Sequence, residues 1–242
     1  MSFQGDADFR LAPHHDAAAY AEAYARTGRI HIPNLFSEAD ARRLFDALAF
    51  RTPWRLMLIH DGPVELTQEQ WAAMPEEQRK KIDAEVMAAG KVRFEGRFLS
   101  YRFCPDGELY TGNIPELVAL GRFLNGPDFL DFVRTITASP QIDFADAQAT
   151  LYRPGDFLHT HDDIYEQKKR VAAYVLNITP NWKAEWGGLL AFLDKAGHVA
   201  EAWTPTWNAL NLLRVPQPHF VSSVADFGND GRYSVTGWLR RR

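Results

Sequence analysis

Between Tyr152 and Glu166 the chain reads YRPGDFLHTHDDIYE, gathering His159, His161, Asp162, Asp163 and Glu166 within eight residues. Imidazole and carboxylate groups without a nearby thiolate suit a divalent first-row metal such as Fe(II). If this stretch is extended, residues two apart share a face. His159, His161 and Asp163 are then expected on one side and Asp162 on the other. Two ligand pairs follow from that parity: His159 with His161, or His161 with Asp163.

The two pairs lead to different enzymes. His159 and His161 followed by Glu166 partly resemble the opening of a cupin-type metal site, which His219 would complete. His161 and Asp163 instead open a facial triad of two histidines and one carboxylate, which holds Fe(II) and leaves open positions for small ligands. A third ligand must come from another strand, and only two histidines follow in the sequence. His198 comes just after the turn residue Gly197 and is expected to face solvent. His219, in PQPHFVSSV, begins a strand and is the better candidate. On the residues alone both sets stay open.

Such ligands need a rigid frame, and the chain divides into two textures. Up to residue 140 the patterns are mostly helical. DAAAYAEAYARTG runs from a capping Asp16 to a terminating Gly28, and SEADARRLFDALAF opens on Ser37 with Asp40 three residues on. PEEQRKKIDAEVMAAG, PELVALGRFLNG and PDFLDFVRTITA begin with proline, and the first two end near glycine. Interspersed RIHIP, WRLMLIHDG and VRFEGRFLSYRF read as strands. From residue 141 onward short apolar or alternating runs recur about every ten residues, separated by Pro154-Gly155, Gly187-Gly188, Lys195-Ala196-Gly197, Pro216, Pro218 and Gly228 to Gly231. That spacing predicts an antiparallel sandwich or barrel. The expected fold is one α+β domain over 1–242, mainly β: residues 1–140 form a helix-rich support and 141–242 a jelly-roll (double-stranded β-helix) core that carries the site.

Composition narrows the function. The 242 residues carry a formal charge of −4, with 24% charged and 13% aromatic side chains. There is no basic footprint for nucleic acid, and the terminal Arg240 to Arg242 is a short solvated end. Cys104 is the single cysteine, so neither an internal disulfide framework nor a zinc ribbon is available. The start, MSFQGDADFRLAPHHD, has no apolar signal core and no stretch approaches a membrane span, which predicts a cytoplasmic protein.

The run from Tyr152 to Leu239 resembles the 2-oxoglutarate- and Fe(II)-dependent dioxygenases, in their prolyl-hydroxylase-like branch. Five pieces carry the resemblance in order: YRPGDFLHTHDD, RVAAYVLNITPNW, WGGLLAFL, NALNLLRVPQPHFV and GRYSVTGWL. The resemblance implies that His161, Asp163 and His219 bind Fe(II). It implies that Arg232, with Ser234 beside it, holds the far carboxylate of 2-oxoglutarate. A guanidinium forks onto a carboxylate through two hydrogen bonds, and a neighbouring hydroxyl adds another donor. Tyr152 is expected to contact the cosubstrate, with Tyr174 a further candidate. Trp238 is expected to wall the substrate pocket, and His159 to line it or satisfy a neighbour. The implied reaction is hydroxylation of an unactivated C–H bond using O2, with succinate and CO2 released and ascorbate a reductant. A prolyl residue in a peptide or protein is the expected substrate, because Arg232 is the one cation the strand pattern places inside. Alternatives are a hydroxylase of a free amino acid, a cupin-type metalloenzyme, and a non-catalytic jelly-roll interaction module.

Overall fold

The computed structural model describes residues 8–59, 62–228 and 231–242. Expectations that touch residues 1–7, 60–61 and 229–230 lie outside the described residues at those positions. They concern the polar start, the end of the strand after Trp54 and part of the turn from Gly228 to Gly231.

In chain order the elements are α1 (Ala17–Thr27), β1 (Arg29–Ile32), α2 (Glu38–Phe50), β2 (Arg55–Ile59), β3 (Pro63–Thr67), α3 (Gln68–Ala73), α4 (Glu76–Ala89) and β4 (Gly96–Cys104). Then come α5 (Pro115–Leu124), α6 (Pro127–Thr137), β5 (Phe144–Ala145), β6 (Ala147–Tyr152), β7 (Phe157–His161) and β8 (Arg170–Asn177). The chain closes with β9 (Leu190–Leu193), β10 (Val199–Trp203), β11 (Ala209–Arg214), β12 (His219–Val221) and β13 (Arg232–Arg240). The helix ends follow their capping residues. Asp16 accepts from the amides of Ala18 and Ala19, Gly28 takes φ 72° after α1, and the Ser37 hydroxyl accepts from Asp40 N.

The strands pair antiparallel in the order β1-β11-β8-β13-β6-β4-β7-β12-β9-β10, the mostly antiparallel curl of a jelly roll. One face packs on the helices. Leu176 and Tyr174 of β8, Val235 and Leu239 of β13, and Leu210 and Leu212 of β11 share a core with Leu44, Leu120, Phe129 and Val133. The other face turns inward, where Ala173, Val175, Leu190, Phe192 and Leu213 form one cluster and Tyr152, Val221 and Val224 belong to another. Residues 1–140 do more than support this core. β4 sits in the middle of the sheet and β1 at its end, so the N-terminal part completes the barrel. Those strands alternate with helices in the chain, which is why their texture alone suggested a separate layer.

Candidate active site

β7 does not keep the parity that the sequence suggests. Its pairing with β12 matches His161 to His219 and Leu158 to Val221, so His159 and Thr160 on β7 together oppose the single Phe220 on β12. This bulge shifts the pattern by one residue. His161 therefore shares the inward side with Leu158, and His159 is displaced from it. The His159 ring lies against Phe157 at 4.8 Å, with Nδ1 3.1 Å from the Arg93 carbonyl oxygen.

Asp163 arrives by a different route. The strand ends at His161, and the Asp162 carboxylate accepts from Ile164 N at 3.0 Å, a local turn of the kind aspartate favours. Asp163 itself adopts φ 64°, a left-handed conformation that aspartate tolerates better than most residues. Asp163 and not Asp162 is thus brought to His161, by this turn and not by strand alternation.

The three groups converge. His161 Nε2 lies 3.7 Å from Asp163 Oδ1 and His219 Nε2 lies 3.6 Å from Asp163 Oδ2. All three donor atoms fall within 4.8 Å of one another. Donors each ~2.1 Å from a first-row ion stand roughly 3–4 Å apart, so the spacing suits one ion. Both rings are fixed in the ligating tautomer. His161 Nδ1 donates to the His159 carbonyl at 2.8 Å, and His219 Nδ1 donates to the Gln217 carbonyl at 2.7 Å. A carbonyl oxygen only accepts, so each Nδ1 carries the proton and each Nε2 offers its lone pair. Burial, then the neighbouring His161, lowers the His219 pKa, which keeps that ring neutral near pH 7. Among the described residues this is the only such group of three. The cupin-type set is not assembled, because His159 and the exposed Glu166 stand outside it. His198 is exposed in its turn.

Arg232 is 2% exposed, yet no carboxylate pairs with it among the described residues. Its Nε is buried without a partner, and its guanidinium lies 5.1 Å over the Tyr152 ring. Burial presses its pKa below the usual arginine value. A buried cation without a counter-charge is costly, and the cost is relieved if an anion binds there. A dicarboxylate whose other end chelates the metal fits both halves of the site. Ser234 follows on the same face of β13, its hydroxyl 2.8 Å from that of Thr150. Tyr152 is stacked on Phe98 at 5.1 Å, inside the barrel as expected.

Tyr174 is not brought to the site. It lies on the helix-facing side of β8, and its hydroxyl donates to the Asp146 carbonyl at 2.7 Å. Apart from Arg170 and Asn177 at its two ends, both faces of β8 are apolar, so alternation alone did not reveal which one looks inward. Arg214, at the end of β11, is exposed beside Tyr24 and does not reach the site.

Two features escaped sequence reasoning. Arg170 opens β8, donates to the Asp163 backbone carbonyl at 3.0 Å and lies 3.5 Å over the Trp238 ring. Arg170 Nε and Trp238 Nε1 are both buried without partners. Arg170 is thus a second cation beside the Asp163 carboxylate, so Arg232 is not the one cation on the inner side. Its place as the first residue of a strand seven positions after Asp163 was the available signal. The pair Gly187-Gly188 is more than a strand-entry turn. A Cβ on Gly187 would meet Ser223 O at 2.0 Å, and one on Gly188 would press Arg232 Cδ at 3.3 Å. The tryptophans are mostly packing: Trp182 joins the inner cluster and Trp203 packs on Phe192 at 4.8 Å.

With the geometry in place, residues 147–240 match the family model described as the 2OG-Fe(II) oxygenase superfamily. The prolyl 3-hydroxylase OGFOD1 of Mus musculus is 32% identical over 149 residues, covering 57% of this chain and 26% of the relative. The prolyl 3,4-dihydroxylase OGFOD1 of Ostreococcus tauri is 26% identical over 142 residues, covering 54% of this chain and 27% of the relative. The chain thus spans about a quarter of the length of these curated relatives. A Pseudomonas putida prolyl-4-hydroxylase structure superposes with a TM-score of 0.58 at 18% identity, covering 94% of this chain and 100% of that one. Over residues 147–240 the fold, the donor set and the family match agree with the core of a 2OG-Fe(II) oxygenase. Its architecture is prolyl-hydroxylase-like, and its implied cofactors are Fe(II), 2-oxoglutarate and O2.

Proposed function

We propose that this chain is an Fe(II)- and 2-oxoglutarate-dependent hydroxylase acting on a prolyl residue of a peptide or protein. One observation carries the chemistry: a His161-Asp163-His219 triad with pre-oriented imidazoles shares the barrel with a buried, unpaired Arg232. Bound Fe(II) and 2-oxoglutarate supply the oxidising chemistry that places one atom of O2 on an unactivated C–H bond and releases succinate and CO2. The protein's own part is binding, orientation and exclusion of water. His161 and His219 present Nε2, and the bond from Arg170 to the Asp163 carbonyl holds the turn that aims the carboxylate. Arg232 and Ser234 take the far carboxylate, and Leu190, Phe192 and Val221 keep the interior apolar.

The substrate class is supported by the relatives, which are prolyl hydroxylases by name, and by the rim of the site. Phe94 packs 5.9 Å from His161 and is about half exposed, as are Ile164 and Tyr165 just after Asp163. Exposed apolar groups beside the metal suit a chain laid across the opening. The test is oxygen-dependent succinate release stimulated by proline-containing peptides, with mass-spectrometric detection of one added oxygen on proline. Coupled turnover with a free amino acid, and none with any peptide or protein, would contradict the peptidyl reading.

A further inference from the structure

A row of buried polar residues crosses the inner face of four adjacent strands. Ser100 of β4 pairs with Thr150 of β6, Thr150 with Ser234 of β13, and Ser234 with Asn177 of β8. All four are at most 2% exposed. Thr150 and Ser234 satisfy each other, Ser100 Oγ at the far end of the row lacks a partner, and Asn177 leaves both its Oδ1 and its Nδ2 without one. A structural asparagine in a buried sheet normally finds partners, because an orphaned buried amide costs stability. Asn177 shares the inward side of β8 with Ala173 and Val175, directly opposite Ser234. Arg232, whose Nε is also unpartnered, is the next inward residue of β13, diagonal to Asn177. Two orphaned groups flank one hydroxyl, and one of them is a cation.

From this we infer that Asn177 is a positioning residue for the far carboxylate of the cosubstrate, its Nδ2 donating to one carboxylate oxygen while Arg232 takes the charge. The inference rests on the 2-oxoglutarate reading above. It predicts a trade of binding against stability, since the amide's Nδ2 donor meets an acceptor only when the carboxylate is present.

The experiment uses calorimetric titration of the full chain loaded with Mn(II), with 2-oxoglutarate and, separately, oxalate. Oxalate chelates the metal but has no arm that reaches Arg232. Asn177→Leu should leave Mn(II) and oxalate affinity within about twofold of wild type and weaken 2-oxoglutarate at least about tenfold. Its thermal midpoint without ligand should equal or exceed that of wild type, because two buried orphan atoms are gone. Asn177→Asp, which sets a second carboxylate against the first, should weaken 2-oxoglutarate further still. If both variants bind 2-oxoglutarate as wild type does, the inference is overturned. It is equally overturned if oxalate and Mn(II) affinity fall in parallel with a lowered midpoint, the mark of a purely structural residue. Wild-type protein that takes Mn(II) and oxalate but not 2-oxoglutarate would instead overturn the proposed function, and this inference with it.

Discussion

The metal ligands are the residues most open to direct challenge. His161→Ala, Asp163→Ala and His219→Ala each remove a donor, so each should weaken Fe(II) by more than the ~10–100-fold that loss of an orienting partner costs. His159→Ala and Asp162→Asn should stay within that lesser range, because neither side chain reaches the ion. Anaerobic Fe(II) titration of the five variants checks this. Loss of metal in His159→Ala with retention in Asp163→Ala would restore the cupin-type set. Much of this site was legible in the sequence, because histidine and aspartate at that spacing, a later strand-opening histidine and an arginine on the last strand are chemical signals. The placement of His159 was not legible. It depends on which residues of β12 pair with β7, and that register is set by tertiary packing. Nor could Tyr174 be sorted from its neighbours, since AAYVL is apolar on both faces.

The elements position the site through close backbone approach. Gly188 has φ 62°, and an added Cβ would meet Arg232 Cδ, Trp182 Cζ2 and Val224 Cγ2, each at 3.3 Å. Gly197 offers an internal comparison: φ is 84°, and nothing lies within 4 Å of its Cβ position. Alanine at either position incurs the strain of a left-handed backbone, about 1 kcal/mol, readable as a lowered urea midpoint. Only Gly188→Ala should also displace the Arg232 stem and raise the 2-oxoglutarate dissociation constant several-fold. Equal cosubstrate affinity in the two variants would show that the glycine pair is only a turn. The strands from residue 141 onward were legible from their ten-residue rhythm, and α1 and α2 from their caps. The central place of β4 was not, because VRFEGRFLSYRF states that it is extended and not which strands it joins.

At the scale of the whole molecule, the inner side of the barrel presents two chemically distinct ends: His161, Asp163 and His219 form one, and Arg232, Ser234 and Asn177 the other. No helix among the described residues is long and apolar enough to cross a membrane. A ligand that joins the two ends must carry a chelating 2-oxoacid and a second carboxylate, which is why the account depends on both ends being engaged at once. The direct measurement is an anaerobic absorbance titration of 2-oxoglutarate into the Fe(II)-loaded chain, following the visible charge-transfer band that a 2-oxoacid chelate of Fe(II) gives. Wild type should develop the band saturably. Asp163→Ala should give none at the same Fe(II) concentration. Arg232→Gln should develop it only at far higher 2-oxoglutarate, since losing a charge-assisted contact that leaves its partner buried costs about 2–5 kcal/mol. A wild-type chain that binds Fe(II) but forms no band, or an Arg232→Gln variant that saturates as wild type does, would contradict the account.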